Sequence, residues 1–358
     1  MPPSIDKIID GVMVGDRLSP DEALILLESN EVSVLGAAAN RLARRQLRDQ
    51  YRTYGVEAVV FYSNVCVSGC RFCSFFRPAG HHQGFVLSIS ELHRILRDAS
   101  NHGPSHVRLQ GGLHPDLKID YFERLLAEIK EGFGLQIHAF SPPEILHIAR
   151  ASGISVTESL RRLHRAGLDS IPGDGADVFD AGCRGRISPH KCSADEWIEV
   201  AARAHGAGVP TSATMMFGHL ETAEQRVAHL ERLRRLQDGT HGIASFAPST
   251  FVPRSTALPE TPRITAFEYL RMIAVCRMYL DNVQHIEASW MTEGIDAASL
   301  ALAFGADDIG CARIFGQNVR DVETSRYPDK EELMAAIVKA GCEPKLRSGL
   351  CEPVETEA

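Results

Sequence analysis

No run of about 18 or more apolar residues occurs in the sequence, so nothing in it reads as a membrane span. No long basic run occurs either: 38 Lys and Arg are outnumbered by 46 Asp and Glu, for a net charge of −8. A nucleic-acid surface needs a local cationic excess, and that class is excluded. The one basic cluster, Arg41, Arg44, Arg45 and Arg48, falls at helical spacing and reads as a solvated helix face. The first residues, Met1 to Asp6, lack a charged segment followed by an apolar one, so the expected location is cytoplasmic. Gly/Ser linkers and low-complexity segments are missing, which leaves no marked domain boundary. An even, evenly spaced cysteine set is missing too. Nine cysteines, three of them crowded together, argue against a disulfide framework and for a metal or redox site in a reducing compartment.

What is present is an ordinary globular composition: 358 residues, 44% hydrophobic and 23% charged. The length suits one large domain or two ordinary ones. Helix starts are marked by Ser or Thr followed three residues later by Glu or Gln, at Ser19/Glu22, Ser88/Glu91, Ser155/Glu158, Ser193/Glu196, Thr222/Gln225 and Thr265/Glu268. Apolar residues at helical spacing follow each. Between the helices lie short β-like runs at 56–62, 106–110, 135–140, 170–171, 211–217, 243–247, 285–288 and 308–311. Several read as apolar on both faces, as buried parallel strands do. Six to eight βα units over about 250 residues predict an α/β fold, a (βα) TIM-type barrel, with a doubly wound open sheet as the alternative. Residues 1–54 read as an N-terminal helical cap, 55–345 as the barrel, and 346–358 as an acidic tail expected to fray.

The sharpest motif is Cys66-Val-Ser-Gly-Cys70-Arg-Phe-Cys73, directly after the first predicted strand. That places it in the first βα loop, on the face where such barrels carry their chemistry. Three thiolates at this spacing can hold three corners of a cubane iron–sulfur cluster and leave one iron open. Phe72 can shield the cluster. A structural zinc site is the other reading. Zinc usually takes four closed ligands, and no second CxxC pair is present.

This motif, with an aromatic residue before the last cysteine, resembles that of the radical S-adenosylmethionine (SAM) superfamily. The segments Gln110-Gly-Gly-Leu-His-Pro115, Ile137-His-Ala-Phe-Ser-Pro-Pro-Glu144, Gly167-Leu-Asp-Ser-Ile-Pro-Gly173, Ile187-Ser-Pro-His-Lys191, Thr214-Met-Met-Phe-Gly-His219, Leu280-Asp-Asn282 and Ala288-Ser-Trp290 resemble one subgroup. That subgroup acts in menaquinone synthesis by the futalosine route and in deazaflavin synthesis. The nearest resemblance is to the dehypoxanthine futalosine cyclases, over roughly residues 18–345.

The resemblance implies a radical SAM enzyme with a 4Fe-4S cluster and S-adenosylmethionine as cofactors, a small-molecule substrate and an electron donor such as flavodoxin or ferredoxin. It makes Cys66, Cys70 and Cys73 the cluster ligands. Gly111 and Gly112 match the glycines whose backbone meets the methionyl amine; a tight strand-to-loop turn is their other reading. Asp177 stands where the subgroup has a Glu that holds the ribose hydroxyls. Arg186 is placed to pair with the methionyl carboxylate, or is a surface arginine. His138 is a candidate for proton transfer, and His114 and His219 for substrate contact; each also reads as a buried, satisfied histidine. Glu144 and Glu221 are candidate bases, or helix N-terminal charges. The later loops depart from the subgroup. Pro248-Ser-Thr-Phe-Val-Pro253 lacks a Trp and a Gln at Ser249 and Val252, Glu287 replaces a Gln before Ala-Ser-Trp, and Gly316-Gln317-Asn318 replaces Glu-Glu-Asn. Glu287 is carried as a substrate contact. The departures leave open a relative acting on another substrate, such as a deazaflavin or aminofutalosine synthase. A non-catalytic metal-binding protein is the remaining alternative.

Overall fold

A computed structural model describes residues 3–47, 51–253, 256–258, 261, 263–315 and 327–354. Arg48 and the departure at Gly316, Gln317 and Asn318 lie outside the described residues. The strands are β1 (Tyr51–Phe61), β2 (His106–Gln110), β3 (Gln136–Ala139), β4 (Thr211–Phe217), β5 (Ile243–Thr250), β6 (His285–Ile286), β7 (Asp308–Phe315) and β8 (Glu343–Leu346). They pair in parallel as two arcs, β3-β2-β1-β7 and β4-β5-β6. Single bridges join the arcs: His138 to Ser170, Ile171 to Thr211, and Glu287 to Asp308. The ring therefore closes, with Ser170 and Ile171 as a two-residue stave. This is the expected (βα) barrel, and closure excludes the open doubly wound sheet.

Local sequence explains most helix starts. The reciprocal caps form at Ser19/Glu22, Ser88/Glu91, Ser193/Glu196, Thr222/Gln225 and Thr265/Glu268. At Ser155 only half forms: the hydroxyl accepts from the Glu158 N–H, while the Glu158 carboxylate takes Arg161. A further pair, Asp329/Glu332, starts helix Lys330–Lys339.

The strands are not apolar on both faces. In β2, Val107 and Leu109 point outward into an apolar shell, while His106, Arg108 and Gln110 face inward. In β4, Ala213, Met215 and Phe217 face out and Ser212, Thr214 and Met216 face in. Apolar burial thus lies between the barrel wall and its helices, where each fully buried Leu, Ile or Phe stabilises by about 1.5–3 kcal/mol. The inside of the ring is left polar.

Two terminal segments differ from expectation. The helices Ile5–Val14, Pro20–Glu28 and Val32–Leu47 form a layer on the barrel's flank. They share one apolar cluster with helices Ala223–Thr240 and Ala266–Tyr279. Arg17 pins the layer through Asp238 and Asp281, both at 2.9 Å. The described part of the acidic tail, 346–354, does not fray. The boundary expected at 345/346 falls within β8, which pairs with Tyr51–Tyr54 at the start of β1. Arg347 and Pro353 then form an antiparallel bridge, and Arg347, Ser348 and Cys351 are buried. The strap closes the end of the barrel at which the strands begin. No helix among the described residues is long and apolar enough to cross a membrane.

Candidate active site

Two connected cavities occupy the axis of the barrel. The upper one, about 520 Å³, lies at the ends of the strands and is lined by Cys66, Cys70 and Cys73. The loop carrying the three cysteines is fixed by main-chain bonds. Cys66 N donates to Arg77 O (3.0 Å), Val67 N to Leu113 O (3.0 Å), Arg71 N to Ile187 O (2.8 Å) and Cys73 N to Cys70 O (3.1 Å). Ser68 contributes its N–H to Cys66 Sγ (3.4 Å) and lies 3.2 Å from Cys70 Sγ through its hydroxyl. Burial raises the Cys66 and Cys73 thiols above their ordinary range. A bound metal reverses that, because ligation requires thiolates. No fourth cysteine and no histidine lines this cavity among the described residues. Three sulfur donors beside a roomy pocket fit a 4Fe-4S cluster held at three corners and suit a closed zinc site poorly.

The glycines have a packing reason. A Cβ on Gly112 would sit 2.2 Å from Val65 O and 2.9 Å from Cys66 Cβ, and one on Gly111 2.8 Å from Ser63 O. Both therefore let β2 close against the cysteine loop, as the tight-turn reading holds. Gly111 lines the cavity. Gly112 gives its N–H to Ser63 O (2.8 Å) and lies beneath the loop.

Glu144 is buried in the cavity wall and accepts from four donors: Ser141 N, Ser141 Oγ, Tyr62 OH (2.9 Å) and Gly111 N (3.0 Å). It completes a cap on helix Pro142–Ser152 and ties that helix to β1 and β2. Burial pushes its carboxyl up to about 7 against the pull of those donors. A carboxyl tuned this way can hold a proton, though its bonds first make it a strut.

Asp177, in a left-handed backbone conformation (φ 48°), presents its carboxylate to the cavity. Lys191 Nζ lies 2.8 Å away. Burial raises the Asp177 carboxyl, but the Lys191 and Arg184 charges outweigh it and hold the group below its usual range. The same ammonium lies 4.9 Å from the centroid of Phe72, which also lines the cavity.

Several expected residues lie elsewhere. Arg186 is exposed on helix Ala181–Ile187, whose inner face is taken by Cys183, Arg184 and Ile187. It does not line the cavity. His114 accepts the Asp116 N–H at Nδ1 (3.1 Å) and is outside the lining. His219 and Glu221 form a closed unit behind the wall. Glu221 accepts from Gly218 N and His219 N and pairs with Arg226 (2.7 Å), and the His219 ring bonds to Leu220 N and Met216 O. Those carboxylate oxygens are used, so Glu221 is a loop anchor rather than a base facing the cavity.

His138 and Glu287 belong to the lower cavity, about 150 Å³, inside the ring. His138 Nδ1 lies 2.7 Å from Ser170 Oγ, and burial holds its imidazole neutral. Glu287 meets Arg347 at 3.2 Å; burial and Asp308 push its carboxyl up to about 7. The floor is the strap: Arg347 is ion-paired with Asp308, and Gly349 and Cys351 complete the lining.

Arg108, Asp174, Thr214, Ser249, Met291 and Arg313 stand between the two cavities and line both; of these, the sequence reading singled out Ser249 and Arg313, in the divergent later loops, and missed the rest as site residues. Glu57, His106 and Lys191 were missed as well. A signal was available. Polar residues recur at every second position of the strands, as in His106, Arg108 and Gln110, and period two assigns them to one face.

With this geometry in view, two family models match: radical SAM superfamily over residues 60–233, and CofH/MqnC C-terminal region over residues 240–357. A cyclic dehypoxanthine futalosine synthase from Streptomyces coelicolor is 38% identical over 348 residues, covering 96% of this chain and 87% of that protein. A 5-amino-6-(D-ribitylamino)uracil–L-tyrosine 4-hydroxyphenyl transferase from Methanoculleus marisnigri is 36% identical over 317 residues, covering 87% and 86%. The crystal structure of methylornithine synthase (PylB) superposes with a TM-score of 0.74 at 20% identity, covering 94% and 97%, a likeness of fold. Enzymes of the superfamily use a 4Fe-4S cluster and S-adenosylmethionine. The cysteine loop, the closed barrel and these matches agree: the chain belongs to the radical SAM superfamily, as an enzyme of its CofH/MqnC family acting on a small molecule.

Proposed function

We propose that this enzyme cyclises dehypoxanthine futalosine in the futalosine route to menaquinone. The observation that carries the reading is the 38% identity, across 96% of the chain, to a protein of that activity. Cys66, Cys70 and Cys73 would hold the cluster, and Gly111, Asp177, Lys191 and Phe72 would line the S-adenosylmethionine site. When bound, the two cofactors supply a 5′-deoxyadenosyl radical that takes a hydrogen atom from the substrate ribose. Closure of the carbon radical onto the benzoate ring would release one proton to the chain and return one electron to the oxidised cluster that had supplied one for S-adenosylmethionine cleavage, restoring aromaticity. The product is the substrate less two hydrogen atoms. The chain's own part is to orient the substrate in the barrel, exclude water and receive that proton. Glu287, pushed up to about 7 and lining the lumen, is suited to the last task.

Support for orientation comes from the polar inner faces of β2, β4 and β5, which continue the cofactor cavity into the ring. A flavodoxin or ferredoxin is the proposed electron donor. The second reading, transfer chemistry of the deazaflavin type, is favoured by the 36% identical transferase and by the departures at Ser249 and Glu287, both of which line the lumen.

The test is anaerobic reconstitution with reductant, S-adenosylmethionine and either dehypoxanthine futalosine or the uracil and tyrosine pair. Formation of 5′-deoxyadenosine with a product lighter by two hydrogens supports the cyclase. Turnover of the uracil and tyrosine pair alone would overturn it.

A further inference from the structure

A (βα) barrel ordinarily fills its interior with layers of branched apolar side chains. This one carries Glu57, His106, Arg108, Glu287, Arg313 and Arg347 there instead. Buried charge of this kind costs stability unless each group is paired, so its presence calls for a ligand or a counter-ion at every position.

The pairing is uneven. Arg347 is fully engaged at the floor by Asp308, Glu287 and Ser348 O, with the Arg347 and Asp308 side chains almost inaccessible. Arg108 and Arg313, at the waist where the cavities meet, are not. Arg108 donates through Nε to Gln110 (3.0 Å) and through Nη2 to Asp174, but no bond of its Nη1 is found among the described residues. Arg313 pairs through Nε with Glu57 (2.5 Å) and sets Nη1 against the Met291 sulfur, a weak acceptor. No bond of its Nη2 is found among the described residues. The two counter-ions differ. Glu57 is buried and held well below its usual range, chiefly by Arg313 acting against burial. Asp174 sits on the loop after Ile171 with 43% of its side chain exposed. Asp174 can turn to solvent, but Arg108 is largely buried, so the exchange is favourable only where another carboxylate takes its place on the guanidinium.

Above the two guanidiniums, one side of the cofactor cavity is aromatic. Phe61 lies 4.7 Å from Phe75 and 6.4 Å from Phe315, ring centroid to centroid, and all three line the cavity. A flat ring against these side chains would carry a carboxylate down to the guanidiniums.

We propose that Arg108 and Arg313 form a carboxylate-binding pair at the waist of the barrel, with Asp174 as the displaceable counter-ion that the substrate's carboxylate replaces. The pair selects an aromatic acid and fixes its depth. This rests on the cyclase reading for the identity of the acid, since dehypoxanthine futalosine carries a benzoate. It does not rest on that reading for the site itself.

The experiment compares dehypoxanthine futalosine with its benzamide analogue on the reconstituted holoenzyme, and benzoate with benzamide by calorimetric titration. The wild type favours the acid by about 100-fold, in line with charge-assisted hydrogen bonds to a buried guanidinium. R108Q and R313Q each shrink that ratio to below about tenfold, and the double variant brings it near unity. The preference is a ratio within one variant, so loss of folded protein cancels from it. D174N acts in the opposite direction, lowering the KM for the acid, which damage to the fold would not do. An acid preference that survives in the double variant, or weaker acid binding in D174N, overturns the proposal. If the wild type fails to turn over dehypoxanthine futalosine, the cyclase reading falls, while benzoate against benzamide still decides the arginine pair.

Discussion

At the open end of the barrel, three thiols from one short loop face a 520 Å³ cavity, and their neighbours Gly111, Gly112 and Glu144 hold that loop against β2. At the closed end, a 150 Å³ space is sealed by groups drawn from across the chain: Glu57, His106, Glu287, Asp308 and Arg347. The first is a local motif held by backbone bonds. The second is a network of charges that the chain brings together only when the ring closes. The difference teaches that the two ends should fail in different ways: the open end by losing its cofactor, the closed end by losing stability.

Replacing Cys70 with Ser tests the open end most severely. Iron content after anaerobic reconstitution and 5′-deoxyadenosine formation should both fall to background, while thermal unfolding of the metal-free chain shifts little. Retained S-adenosylmethionine cleavage in the variant would break the comparison at its root. Arg347→Ala is the matching blow at the floor. It leaves the buried Asp308 carboxylate without a counter-ion and Glu287 without its ion pair, at a cost of about 3–5 kcal/mol. A urea titration should show the loss, and iron bound per folded chain should stay as in the wild type. Should R347A shed its cluster instead, the two ends are coupled.

Gly112→Ala is a milder probe. Its Cβ would meet Val65 O at 2.2 Å and force the cysteine loop outward, at about 1–3 kcal/mol. Faster loss of iron to a chelator, out of proportion to the change in melting temperature, is the expected signature. The smallest effect concerns pH. Glu287 is pushed up to about 7 by burial and Asp308, against an unfolded value near 4.3. Its folded form therefore holds the proton more tightly. The stability this gives is fully present below about pH 4.3 and is lost as pH rises through about 7. E287Q removes that slope, so its melting temperature should gain on the wild type between pH 5 and pH 8. Parallel curves for the two proteins would show that Glu287 ionises normally.

The same division governs what could be read in advance. Strand positions 106–110 and 211–217 coincide with β2 and β4, and the two-residue run at 170–171 is the stave that joins the arcs. Periodicity and helix caps are local, and local signals survive in sequence. The cysteine loop was legible for the same reason. Arg186 was misplaced because sequence does not say which side of a seven-residue helix faces in; Cys183, Arg184 and Ile187 take that side. His219 and Glu221 stood beside a strand end, as site residues would, but they bond to each other's loop and to Arg226. The strap after β8 read as a charged tail, because the partners that bury Arg347 lie on β7 and beyond β6.

By itself, then, the sequence determined the βα order, the helix starts and the three thiols, all set by residues within a few positions of one another. Tertiary structure decided which way the polar strand faces point, which carboxylates remain unspent, and what lines the lumen. Those depend on ring closure, which brings β1, β2 and β7 together at the axis and lets the C-terminal strap seat Arg347 beneath them. A charge pair between residues so far apart has no period and no motif; it exists only once the chain has folded around it.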